Sequence, residues 1–311
     1  MWSWEAVAHG AEVVSYFRWR QSPFAQEQMH AGLKLRDDTD APGLLEVQRF
    51  NDEINKIELP QNTQAPVALI HDYTADWMTM LDGQTEDFHY LRLLLDVYGA
   101  ARQNGATVDV IGPQDNIDGY KLILLPSLMT VSDDLAERLE NSSAVILAGP
   151  RTGAKTADFQ LPENLAPGPL SRLIGATITR VDALPRQCPV ELTWKGEKCR
   201  VSVWREEARQ LSATGENIEN SLMTTSNKAR YLLGWPDAKT LRAVLKSALE
   251  DAGLKTHDLP PYLRVRERGD LAIFINYGPE KAMIPDSIKG EVILGDRWVE
   301  PAGVAVMKTA P

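Results

Sequence analysis

Phe24, Glu27 and His30 stand close together, just after the run Tyr16-Phe17-Arg18-Trp19-Arg20-Gln21-Ser22-Pro23. An aromatic ring, a carboxylate and an imidazole form a set suited to gripping a sugar. The ring covers an apolar sugar face, the carboxylate accepts from hydroxyls, and the imidazole donates or accepts. Each side chain also has a plainer reading. Glu27 can pair with Arg18 or Arg20, and His30 can cap local backbone. Two further stretches could carry chemistry. Gly149-Pro150-Arg151-Thr152-Gly153-Ala154-Lys155-Thr156 resembles a phosphate loop, but Ala154 separates Gly153 from Lys155. Phe159-Gln160-Leu161-Pro162 also precludes the long helix that a phosphate loop runs into. A rigid basic loop at the sheet's C-terminal edge is the expectation. The only cysteines, Cys188 and Cys199, are too few for a disulfide framework and have no clustered histidine. Two reduced thiols, no metal and no cofactor are therefore expected.

The elements that position these residues follow from periodicity. Tyr16 to Arg20 alternates aromatic and cationic side chains, as a short buried strand would, and Pro23 ends its pairing. Trp4, Val7, Ala8 and Ala11 share a helical face within 2–12. Asp37 to Gly43 is turn-rich, and Leu44, Leu45, Val47, Phe50, Ile54 and Ile57 predict an amphipathic helix. Pro60 to Pro66 is a linker.

Beyond it, strands are expected at 67–70, 108–111, 120–125 and 144–147. Helices are expected over 88–103, with Leu91, Leu94, Leu95 and Tyr98 inward and an Asn104-Gly105 stop, and after Ser132 as N-cap. Apolar strands joined by helices imply a parallel sheet covered on both faces. Thr177 to Val181 and Val201 to Trp204 predict strands of an appended sheet. Arg230 to Trp235 is a returning core strand, and Asp237 caps a helix that ends at Gly253. Past Pro260-Pro261, short strands at 263–266, 271–276, 291–294 and 304–306 favour a small antiparallel β-sandwich. Asn276-Tyr277-Gly278 is expected to be a turn rather than a carbohydrate site.

Composition narrows the partners. Lys+Arg 33 against Asp+Glu 43 leaves a formal charge of -10, so counterion release on nucleic acid gives this chain no advantage. Such acidity suits a neutral ligand. No apolar run approaches the roughly 20 residues of a membrane span, and no secretory signal opens the chain. A cytoplasmic location, with neither nucleic acid nor membrane as partner, is expected.

Several blocks together are similar to glycoside hydrolase family 42 β-galactosidases. They begin with Trp2-Ser3-Trp4-Glu5, Tyr16 to Phe24 and Glu27…His30. They continue through Gly119-Tyr120-Lys121-Leu122, Leu125-Pro126-Ser127-Leu128, Gly149 to Thr156 and Pro167-Gly168-Pro169-Leu170. Trp204-Arg205-Glu206, Gly234-Trp235-Pro236-Asp237, Asn276 to Glu280 and Pro301 to Val306 complete the set. Their collinear order makes the match specific over essentially the whole chain.

The resemblance implies three parts. Residues 1–63 would be the last unit of a TIM-type (β/α)8 barrel with its linker. Residues 64–261 would be an α/β trimerisation domain of flavodoxin-like or class I glutamine amidotransferase-like layout, and 262–311 the β-sandwich. It implies Phe24, Glu27 and His30 as galactose ligands and a homotrimer acting on terminal β-D-galactosyl residues with retention. The two catalytic glutamates would lie at the ends of the fourth and seventh barrel strands. The chain begins after the seventh, so neither carries over to a residue here and the chain alone is expected to be inactive. Amidotransferase chemistry is not expected either. Pro126-Ser127-Leu128 offers no glycine-flanked cysteine, and no histidine lies near Ser127 in sequence. The alternative is a non-catalytic assembly or carbohydrate-binding protein derived from the same family.

Overall fold

The computed structural model describes residues 1–211 and 215–309; the last two residues expected in the C-terminal β domain lie outside this range. The chain forms two compact units. One is discontinuous, Met1–Thr63 with Leu259–Pro311, and the other is Gln64–Asp258.

The discontinuous unit opens with α1 (Trp2–Ala8) and α2 (Pro42–Ile54). Trp4 joins them: its Nε1 donates to Glu53 Oε2 at 2.8 Å, and its ring meets Phe50 edge-on at 5.6 Å.

The continuous unit alternates strand and helix: β1 (Val67–Ile70), α3 (Tyr73–Leu81), α4 (Tyr90–Gln103), β2 (Val108–Ile111), β3 (Leu122–Leu125), α5 (Asp133–Asn141) and β4 (Val145–Ala148). A short helix α6 (Ser171–Ile174) leads to β5 (Ala176–Leu184), β6 (Val190–Trp194), β7 (Glu197–Gln210), β8 (Asn217–Ile218), β9 (Met223–Thr225), β10 (Ala229–Leu232) and β11 (Gly234–Pro236). Helix α7 (Ala238–Asp251) closes the unit. Strand order in the main sheet is β2-β1-β3-β4-β10-β9, parallel up to β10, with β9 antiparallel at the edge. β1 and β3 are buried along their whole length, which explains their unbroken apolar sequence. An antiparallel sheet built on β7 pairs with β5, β6, β8 and β11.

The inward face of α4 differs from expectation. Tyr90, Leu93, Leu94 and Val97 are buried, whereas Leu91 and Leu95 are exposed. Both faces carry apolar residues at helical spacing, so periodicity alone could not choose between them. Tyr90 makes the choice. Its hydroxyl accepts from the Asp72 backbone N–H at 3.0 Å and its ring stacks on His71, which fixes the rotation of the helix.

Helix ends follow their capping residues. Ser132 Oγ accepts from Leu135 N, and Asp237 Oδ1 accepts from Thr240 N at 2.9 Å. Asp237→Ala should lower stability by about 1 kcal/mol, read as a shift in urea midpoint; an unchanged midpoint would mean that the cap carries no weight.

The last strands return to the first unit: β12 (Leu263–Arg268), β13 (Leu271–Asn276), β14 (Ala282–Met283), β15 (Gly290–Leu294), β16 (Trp298–Val299) and β17 (Val304–Thr309). Four of them form an antiparallel sheet, β12-β13-β17-β15, while β14 pairs with β16. Side chains of β13 alternate between two clusters. Leu271, Ile273 and Ile275 pack with Trp4, Val7 and Ala8, and Ala272 and Phe274 pack with Ile284 and Val299. Arg268 ties the chain's two ends: Nη1 donates to Val7 O and Nε to Pro60 O, both at 2.7 Å. Asn276 is buried and holds a turn, donating to the carbonyls of Glu280 and Val299 while its Oδ1 accepts from Gly278 N.

Candidate functional site

The loop carrying Phe24, Glu27 and His30 is built without a regular strand. Residues 16–20 bend at Phe17 and Trp19, and among the described residues their pairing is limited to one parallel bridge, Arg20 with Lys34. Backbone hydrogen bonds Leu33 N to Arg18 O (2.8 Å) and Lys34 N to Trp19 O (2.7 Å) hold the segment. The expected buried strand is therefore corrected: Phe17 is 69% and Trp19 63% exposed. Burial of alternate side chains requires sheet neighbours and a covering layer, and among the described residues the segment has only the 33–34 edge.

After Pro23 the chain enters a 3-10 turn, Gln26–Met29. This turn brings Glu27 back to Arg18, whose Nη1 donates to Glu27 Oε2 at 2.9 Å. His30 meets the Phe17 ring edge-on at 6.0 Å, and the Arg18 guanidinium carbon lies 5.4 Å from the same ring's centre. Glu27 and His30 thus share a cluster with Phe17 and Arg18. The Phe24 ring is solvent-exposed and makes no described contact with either. The plainer reading of Glu27, an ion pair with Arg18, is present in the geometry; at this exposure it contributes about 0–1 kcal/mol.

A second cluster lies in the continuous unit. Glu206 is buried on β7 and accepts three hydrogen bonds. Oε1 receives the Arg151 backbone N–H (3.0 Å) and Trp204 Nε1 (2.8 Å), and Oε2 receives the Tyr231 hydroxyl (2.8 Å). Burial pushes the Glu206 carboxyl above its ordinary range and the Tyr231 hydroxyl well above its own. The Arg151 guanidinium packs against two rings, its carbon 4.8 Å from the centre of Phe88 and 4.5 Å from that of Trp204. Arg151 is only 2% exposed, so its side chain is packed inward instead of being offered to a neighbour. The aromatic pair provides the reason: Phe88 and Trp204 meet edge to face at 5.4 Å, and the guanidinium gains cation–π contact with both rings. Lys155 of the same loop pairs with Asp82 at 3.2 Å.

Sequence reasoning gave no role to Glu206 or Tyr231. The available signal was that Glu206 follows Trp204 by two residues and so shares its strand face.

The other candidates are structurally quiet. Ser127 is fully buried, away from any attacking position. Cys188 is exposed and Cys199 buried, both unpaired; burial raises the Cys199 thiol's pKa, which disfavours the reactive thiolate. Among the described residues no group of three or more His, Cys, Asp or Glu could hold a metal ion, and no helix is long and apolar enough to cross a membrane.

Comparison with known proteins identifies the relatives of this arrangement. The family model for the β-galactosidase trimerisation domain matches residues 65–255, and a β-galactosidase family model matches 1–57. A β-galactosidase of Thermus thermophilus is 39% identical over 100% of this chain and 48% of its own length. The β-galactosidase BgaH of Haloferax lucentense is 32% identical over 99% of the chain and 48% of its own length. The crystal structure of a β-galactosidase from the psychrophilic Marinomonas ef1 superposes with a TM-score of 0.92 at 35% identity, covering 99% of this chain and 49% of that one. The chain spans about half the length of the curated relatives it matches. With matches from its first residues through its α/β unit, the chain belongs to the glycoside hydrolase family 42 β-galactosidases.

Proposed function

We propose that this chain acts as part of a retaining β-galactosidase, contributing galactose contacts and subunit assembly, and that by itself it hydrolyses no glycoside. The observation that carries this reading is the match to β-galactosidases along the entire chain, over only about half of each relative. The reading assigns neither the acid/base nor the nucleophile of retaining hydrolysis to any carboxylate of this chain. Phe24, Glu27 and His30 are the proposed contacts to a β-galactoside or galactose. The pair with Arg18 engages Glu27 Oε2, which holds the carboxylate in place and leaves Oε1 to accept from a sugar hydroxyl.

Homotrimer formation belongs to the same reading. Tyr73, Trp77, Met80 and Leu81 are exposed on α3, an apolar stripe of the kind that marks association surfaces. The parallel order β2-β1-β3-β4-β10 supports a flavodoxin-like layout related to class I glutamine amidotransferases. The division into 1–63, 64–261 and 262–311 is kept as a division of the sequence, its first and last parts packing as one discontinuous unit, with the last part a small β-sandwich. A cytoplasmic location accords with the two unpaired cysteines. The alternative, a non-catalytic assembly or carbohydrate-binding protein, is favoured by one observation: Trp2, Phe17 and Trp19 are all exposed, as a sugar platform would need.

The test is turnover of a chromogenic β-galactoside. The purified chain should show none, and robust turnover would overturn the proposal. Co-expression with the N-terminal half of the Thermus thermophilus relative should restore activity. Glu27→Ala should then lower kcat/KM by about tenfold or more, the loss of one charge-assisted hydrogen bond. Equal kcat/KM would remove Glu27 from the sugar site.

A further inference from the structure

Beside the buried Arg151–Glu206 cluster lies a cavity of about 370 Å³ that the galactose reading leaves without a role. Its size falls within the range of small-molecule sites. Leu165, Ile178 and Val181 supply apolar wall, and Arg151, Trp204 and Glu206 line it from the core side. Arg151 is the unusual member. A guanidinium has five N–H donors, yet Nη1 here is buried without a hydrogen-bond partner among the described residues. Glu206 does not relieve it by hydrogen bonding: its oxygens accept from Arg151 N, Trp204 Nε1 and Tyr231 Oη, and neither is bonded to Nη1. Burial accordingly lowers the Arg151 pKa, while Glu206 acts against that shift.

Backbone geometry adds a second observation. Arg151 adopts a φ of 65°, a left-handed conformation that costs a residue with a Cβ. Phe88 and Trp204 pack against the guanidinium, and its N–H groups lie in its own plane, so hydrogen bonds leave along its edge. An edge with parallel N–H groups matches a planar carboxylate, which can accept two of them at once. The apolar wall of Leu165, Ile178 and Val181 favours a ligand with a hydrocarbon body over hydrogen phosphate.

We propose that this cavity binds a small monocarboxylate with an apolar body, anchored at its carboxylate by Arg151. The proposal is independent of the galactose contacts, which lie in the other unit.

The experiment is calorimetric titration of the full chain with sodium benzoate, with inorganic phosphate and galactose titrated in parallel. Benzoate should bind one per chain, at least tenfold more tightly than either. Arg151→Lys keeps the charge but loses the fork, and should weaken benzoate at least tenfold. Because Arg151→Lys could disturb the core, Leu165→Trp is the second variant. Leu165 is half exposed, so a larger ring there should obstruct the cavity without unfolding the chain, and should also weaken benzoate at least tenfold. Sedimentation with and without benzoate separates two sources of the carboxylate. An unchanged mass supports a free acid as occupant, and a fall in mass supports a carboxylate side chain from a second copy. Absence of benzoate binding, or equal binding by the wild type and Leu165→Trp, overturns the proposal.

Discussion

Glu206→Ala should destabilise the continuous α/β unit by about 3–5 kcal/mol, the combined cost of leaving several buried donors unsatisfied at about 1–3 kcal/mol each. The substitution strands three donors at once: the Arg151 backbone N–H, Trp204 Nε1 and the Tyr231 hydroxyl. It also leaves the Arg151 guanidinium, already buried against two rings, without its nearby carboxylate. Glu206→Gln keeps the shape and one acceptor oxygen and should cost distinctly less. Urea unfolding followed by tryptophan fluorescence measures both, and a loss below about 1 kcal/mol for the alanine variant would contradict the cluster.

The pH dependence has a definite sign. Burial raises the folded-state pKa of Glu206 above its unfolded value. The folded chain therefore binds more protons than the unfolded chain in the window that begins near pH 4.3. Stability from this group is fully present below the unfolded pKa and is lost as pH rises through the folded one. Glu206→Gln removes that slope. The wild-type urea midpoint should consequently fall relative to the Glu206→Gln midpoint as pH is raised from 4 towards 8; a constant difference would mean an unshifted carboxyl.

Gly149→Ala should be comparably damaging, for a steric reason. A Cβ at this position would lie 1.8 Å from the Pro126 carbonyl oxygen and 2.7 Å from its carbon. Those are backbone atoms at the end of β3, and Gly149 N itself donates to Leu125 O at 2.8 Å. Relief requires the C-terminal ends of β3 and β4 to separate, so the cost should exceed the roughly 3 kcal/mol at the top of ordinary overpacking. Gly99→Ala is the control. It lies within α4 with nothing in the way of a Cβ, and should be neutral or stabilising by up to about 1 kcal/mol. Equal stability of the two variants would refute the close approach.

Much of the α/β unit was legible because its signals are local and agree with one another. Val67 to Ile70 is an unbroken apolar run between Pro66 and a polar turn, and it forms a strand over those residues. Ser132 and Asp237 each precede a periodic segment and each accepts the expected backbone N–H.

Legibility failed where non-local contacts decide. The rotation of α4 depends on Tyr90 meeting Asp72 and His71, which no spacing within 88–103 discloses. Along β7, the buried positions run Cys199, Val201, Val203 and then Trp204, Glu206, Ala208, a shift of one place. Val203 has a φ of 71°, and the register with β11 shifts between Gly234 and Trp235, as at a β-bulge. Strict alternation from Cys199 would send Glu206 outward; the extra residue turns it into the core. The Tyr16–Arg20 segment failed for the opposite reason, since its alternation suits a buried strand but the described neighbours supply only one short edge. Phe24, Glu27 and His30 were noticed by residue type, while the ion pair to Arg18 shows that proximity on one turn also serves local electrostatics.

The discontinuous unit has a consequence for biosynthesis. Its strands β12 to β17 and its helix α1 are made at opposite times, and the contact from Arg268 to Val7 spans 261 positions. A ribosome releases the chain from the amino end, so the middle unit can finish folding while the first helix is still waiting for its sheet. During that interval Trp4, Val7 and Ala8, later packed on β13, lack the strand that covers them. Moving residues 259–311 ahead of Met1 by circular permutation would let that unit close first, shortening the wait.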